Sequence, residues 1–144
     1  MGHLQLAFGT LFANRFQIER EAGSGGMGTV YRARDHYSAE AVALKILHSG
    51  AVGPEGAERF TREAQLLAEL RHPNIVSYIS HGQTVEGQRF LVMEWLEGED
   101  LARRLLRGPL PLRDALQVVQ RVAEGLSVAH QRGVVHRDQF APST

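Results

Sequence analysis

The chain has 144 residues, enough for one domain with its own core, and its 43% hydrophobic and 22% charged content is that of an ordinary globular protein. Sixteen basic residues balance sixteen acidic ones, so neither a nucleic-acid footprint nor a polybasic membrane patch is indicated. The lack of cysteine excludes disulfides and thiolate metal sites, the apolar runs are too short for a membrane span, and a reducing, cytoplasmic setting is expected.

Residues 1–13 read as a leader: they lack a secretory layout, and Leu6 stands where a myristoylation signal wants Ser or Thr. Residues 16–22 (FQIEREA) alternate as a strand does, and the glycine-rich 23–28 (GSGGMG) breaks the pattern. Residues 29–34 (TVYRAR) are β-branched and aromatic, which makes strand, glycine turn, strand. A third strand, 40–47 (EAVALKIL), follows the turn-like 35–39, and 50–56 is a loop. Apolar Phe60, Ala64, Leu67 and Leu70 then mark one face of a helix over 55–71, which His72-Pro73-Asn74 ends. Two more strands are predicted, 75–81 and 88–96, turning at Glu86-Gly87. Beyond them come a short helix at 101–106, a loop with Pro109 and Pro111, and a long helix over 112–131. Its apolar face carries Leu112, Leu116, Val119, Ala123 and Leu126. The chain therefore divides into a sheet-rich part, 14–96, a hinge, 97–100, a helical part, 101–138, and a tail, 139–144.

Gly23-x-Gly25-x-x-Gly28 is a weak signal by itself, because dinucleotide-binding folds use the same spacing. Those folds need the last glycine to open a helix, and Gly28 opens a strand-former. A glycine-rich hairpin can instead fold over phosphates and offer them backbone N–H groups. Period-two geometry puts Ala43 and Lys45 on one face of their strand and Val42, Leu44 and Ile46 on the other. Lys45 is the only lysine among sixteen basic residues. Glu63 falls on or beside the apolar helix stripe, where a carboxylate is costly unless paired, so Lys45 and Glu63 are expected to face each other within salt-bridge reach, or to lie within one helix rotation of it in an inactive-like arrangement. Near the end, a short apolar strand runs into His136-Arg137-Asp138, and an aspartate there can orient a hydroxyl for attack on phosphorus. The seven histidines offer no helical pair with a third ligand, so no metal site is expected of them.

Taken together, these motifs resemble those of protein kinases, above all the bacterial serine/threonine kinases of the eukaryotic type. Residues 23–30 are similar to the GxGxxGxV loop, 42–45 (VALK) to the VAIK strand, Glu63 to the helix-C glutamate, and 136–138 to the HRD triad. The resemblance implies an α+β fold with a complete five-stranded N-lobe, helix C and the first helices of an incomplete helical C-lobe. It implies ATP as ligand, with Gly23, Ser24, Gly25, Gly26 and Gly28 over the phosphates and Lys45 holding them while pairing with Glu63. Val30 and Ala43 would cover the adenine, Met93 would be the gatekeeper, the Glu94 carbonyl and Leu96 amide would meet the adenine edge, and Asp100 would approach the ribose. Asp138 would be the catalytic base and a protein the phosphoryl acceptor.

Departures accompany the match. Ala22 stands where the family has a larger aliphatic, Phe140 where it has lysine, and Ser143 where its catalytic-loop asparagine would hold magnesium. The tail matches nothing in the family, and the DFG and APE motifs do not occur in these residues. The expectation is therefore a chain of kinase ancestry that does not itself transfer phosphate. The alternatives are a pseudokinase-like fragment that binds nucleotide or a partner, and a remnant of a truncated gene.

Overall fold

The computed structural model describes residues 5–25, 28–48 and 53–134. Six strands, β1 (Leu11–Phe12), β2 (Phe16–Ser24), β3 (Gly28–Asp35), β4 (Ala41–Leu47), β5 (Tyr78–Gln83) and β6 (Arg89–Glu94), form one antiparallel sheet in the order β1-β2-β3-β4-β6-β5. Helix α1 (Pro54–Glu69) lies between β4 and β5 in the chain, and α2 (Leu101–Leu105) and α3 (Leu112–Gln131) follow the sheet. The five expected strands are present.

The sixth strand was not expected. β1 turns back onto β2 through Ala13 and Asn14, both at positive φ (52° and 54°), where asparagine is tolerated better than most residues. The turn delivers Phe12 into the core, its ring edge-on to Phe90 at 5.2 Å between centroids. Strand alternation builds the rest of that core: Ile18, Tyr31, Ala33, Val42, Leu44, Ile46 and Val92 are buried, and cross-strand register brings Tyr31 opposite Leu44 and Leu44 opposite Val92. β5 begins later than expected, because His72 O accepts the Ile75 N–H in a turn and the Ser77 N–H is taken by the Glu94 carboxylate at 2.7 Å.

One ion pair belongs to this core. Asp35, at the end of β3 and 1% exposed, receives Arg15 Nε at 2.8 Å and Nη2 at 2.7 Å, and also the Tyr37 N–H at 2.9 Å. The Arg15 guanidinium lies over the rings of Phe16 and Tyr37, at 4.8 and 4.5 Å from their centroids. The hydrogen bonds from Arg15 hold the Asp35 carboxyl below the ordinary carboxylate range, against the opposing effect of burial.

Helix α1 sits against β5, with Ala64 its buried residue and Thr61 Oγ1 accepting from Arg89 Nη1 at 3.1 Å. Helix α3 meets the turn before β5: Asn74 Nδ2 donates to Arg121 O and to Glu124, and the Asn74 backbone approaches Gly125 so closely that a Cβ there would lie 3.1 Å from its carbonyl oxygen. Elsewhere α3 is open, with Leu112, Leu116, Val119 and Val122 exposed. No helix among the described residues is long and apolar enough to cross a membrane.

Candidate nucleotide site

Register gathers Gly23, Val30, Ala43, Lys45 and Met93, all singled out from the sequence, onto the sheet face opposite the core. Gly23 pairs with Val30, Val30 with Lys45 and Lys45 with Leu91, forming one row across four strands. Arg32, Ala43 and Met93 form the next row. Neighbours in a row share a face, as do residues two apart on one strand. Val30, Ala43, Lys45 and Met93 are thus adjacent, each half-buried.

Strands β2 and β3, which carry the glycines, pair at the end of this sheet region through Gly23–Val30 and Ser24–Thr29. A Cβ added at Gly23 or Gly25 would meet no atom within 4 Å, so space above the backbone is open there. Gly28 differs: its added Cβ would stand 2.4 Å from Ile46 O on β4, so its lack of a side chain is already required by strand packing. Ser24 Oγ lies 3.2 Å from Thr29 Oγ1, which lies 3.1 Å from His48 Nε2, a hydroxyl–hydroxyl–imidazole chain along the hairpin base. Gly26, which completes the glycine run, lies outside the described residues.

The expected Lys45–Glu63 contact is not formed. Glu63 is an exposed residue whose side chain is 63% accessible, and its nearest cation is Arg59 at 4.0 Å on the same helix. Lys45 makes no ion pair among the described residues. The apolar stripe faces inward as expected, with Ala64 buried, and Glu63, about 100° round the helix from it, falls on the solvated side.

After β6 the chain runs into the hinge. Glu94 anchors it by receiving the Ser77 N–H and donating its own N–H to Ser77 O at 2.9 Å. Leu96 is exposed, Gly98 turns at φ 118°, and Asp100 caps α2 by accepting the Arg103 N–H at 2.7 Å. The Asp100 carboxylate thus already serves a helix end. Asp138, with His136 and Arg137, lies outside the described residues. Among the described residues no group of three His, Asp or Glu side chains is placed to hold a metal ion.

Sequence reasoning missed one cluster beside the hinge. Arg32 reaches Glu19, Trp95 and Glu97, and Arg20 also lies over the Trp95 ring. The signal was present, since Arg32 lies two residues past Val30 and so on its face.

Comparison with known proteins gives a consistent result. The family model described as protein kinase domain matches residues 16–139. The serine/threonine-protein kinase pkn2 of Myxococcus xanthus is 43% identical over 125 residues, covering 86% of this chain and 15% of that protein. PknJ of Mycobacterium tuberculosis is 40% identical over 139 residues, covering 96% of this chain and 23% of its own length. Among solved structures, the PknI kinase domain of Mycobacterium tuberculosis is 36% identical with a TM-score of 0.79, covering 93% of this chain and 55% of that one. The chain thus spans about half the length of that solved domain and under a quarter of these two curated relatives.

Proposed function

Because this chain belongs to the protein kinase domain family, in its bacterial serine/threonine branch, we propose that its sheet-rich part binds ATP beneath the β2–β3 hairpin. The observation that carries this reading is the register of the open sheet face, where Lys45 stands in one row with Val30 and two residues from Ala43. A small apolar patch suits a purine ring, and an ammonium beside it suits phosphate oxygens.

In this reading Gly23, Ser24, Gly25, Gly26 and Gly28 present backbone to the phosphates, and Lys45 binds them. Val30 and Ala43 cover the adenine, with Met93 behind it. The Glu94 carbonyl and Leu96 amide meet the adenine edge, and Asp100 reaches the ribose once released from its capping bond. In the whole kinase domain, Asp138 orients the hydroxyl of a protein serine or threonine, and magnesium supplies charge neutralisation between the phosphates. We place the protein in the cytoplasm, where ATP and substrate meet.

A polypeptide of these 144 residues by itself does not transfer phosphate in this reading. Kinases need the lysine–glutamate pair in place, and here Lys45 and Glu63 are apart, with Phe140 and Ser143 at positions the family gives to lysine and asparagine. The absence of a Lys45–Glu63 pair also favours a second reading, a fragment that binds nucleotide without catalysing transfer.

Titration with ATP tests the site. Lys45→Ala is expected to weaken ATP binding about tenfold to hundredfold, the worth of charge-assisted hydrogen bonds to phosphate, and an unchanged affinity removes Lys45 from the role. Incubated with labelled ATP, magnesium and a generic protein substrate, the chain is expected to incorporate no more label than Lys45→Ala does. Incorporation that disappears in that variant would show the chain to be an active kinase.

A further inference from the structure

We propose that Arg32 is a positioning residue for the nucleotide, one that joins the roof strands to the hinge and so sets the width of the slot the adenine enters. The inference rests on the ATP-site reading above and adds to it a residue that the motifs do not include.

Arg32 shares the open face with Val30 and Ala43. Its guanidinium pairs with Glu19 on β2 through Nη1, and its Nη2 lies 3.3 Å from Glu97 Oε1, 65 residues further along the chain. Its Cζ lies 5.6 Å from the Trp95 ring centroid, and Arg20 Cζ from β2 lies 5.1 Å from the same ring. The Trp95 indole N–H is buried with no acceptor among the described residues, and the two guanidinium groups meet the face of its ring. Trp95 and Glu97 flank Leu96, whose amide is assigned to the adenine edge.

No single contact here is strong. Glu97 is largely exposed, and a pair of that kind contributes little alone. The assembly is different in kind, because the one guanidinium pairs with Glu19 through Nη1, donates to Glu97 through Nη2 and lies beside the indole. One side chain then spans both walls of the slot, the strand bearing Val30 and the hinge. Lys45 lies in the neighbouring row and makes no ion pair with any member of this cluster. Loss of Arg32 should therefore act on recognition of the base and leave the phosphate contacts alone.

Calorimetric titration of the 144-residue chain with ATP and with adenosine separates the two. Arg32→Ala is expected to weaken both ligands by the same factor, about fivefold for a partly buried cation–π contact. Lys45→Ala is expected to weaken ATP alone. Glu97→Gln, which cuts only the exposed hinge end, is expected to weaken both ligands about twofold at unchanged melting temperature. An Arg32→Ala chain that binds both ligands as tightly as the wild type overturns the inference while the nucleotide site stands. A loss in Arg32→Ala confined to ATP, or accompanied by a lowered melting temperature and absent from Glu97→Gln, also overturns it. A wild type that binds neither ligand overturns this inference and the nucleotide site together.

Discussion

Asp35→Ala is expected to destabilise the chain by about 3 kcal/mol, the low end for breaking a buried ion pair from one side. The substitution leaves the Arg15 guanidinium between two aromatic rings without its carboxylate, and leaves the Tyr37 N–H without an acceptor. The low end applies because Arg15 keeps a quarter of its side chain in contact with water, whereas Asp35 is almost wholly enclosed. Urea unfolding of the two proteins measures the difference, and a loss under about 1 kcal/mol would class the pair with ordinary surface bridges. The same pair gives stability a pH dependence of defined sign. Because the folded-state pKa of Asp35 is depressed, its contribution is complete above the unfolded carboxyl's value of about 3.9 and is lost as the pH falls through the lower folded value. Asp35→Ala should flatten that acid limb of the stability profile, whereas Arg15→Lys, which keeps the charge but not the fork, should weaken it.

Gly28→Ala is expected to cost about 2–3 kcal/mol, as overpacking against a fixed neighbour does. The added methyl would press on the backbone oxygen of Ile46 at 2.4 Å and crowd the Leu47 Cα, so strands β3 and β4 would have to separate. Gly25→Ala serves as the matched control. Its Cβ would meet nothing within 4 Å and its φ is not positive, so stability should hold or rise by about 0.5 kcal/mol from reduced freedom of the unfolded chain. Thermal melts of the two variants check this, and equal losses would show that the hairpin responds to any added side chain. The contrast separates two demands on one motif: packing at its end, and open backbone for a ligand earlier in it.

The sheet was legible because its chemistry repeats every two residues. Val42, Leu44 and Ile46 against Ala43 and Lys45 state both faces of β4 without reference to any other strand, and the glycine run marks where β2 must turn into β3. Strand β1 was not legible, since two residues carry no period. Only Asn14, an asparagine suited to positive φ, hinted at the turn that places Phe12 against Phe90. Glu63 shows a different limit. Apolar spacing fixes which residues of α1 share a stripe, but it does not say on which side of the stripe's margin a flanking residue falls; successive residues lie about 100° apart, and with Ala64 buried its neighbour Glu63 is exposed. The Arg15–Asp35 and Arg32–Glu97 contacts join residues 20 and 65 apart, so they depend on register and on the path of the hinge, which no local pattern encodes.

Trp95 is the only tryptophan in the chain, and it sits at the hinge beneath two guanidinium groups. Light absorbed at the red edge of indole excites this one side chain and none of the three tyrosines, so the protein's long-wavelength emission comes from a single half-buried ring between its sheet and its helices. Charged groups held against an indole shift its emission according to their placement, which makes the colour of that light a measure of where Arg20 and Arg32 stand. The natural chain is thereby its own optical gauge of hinge geometry, readable in stopped flow or at nanomolar concentration without any dye.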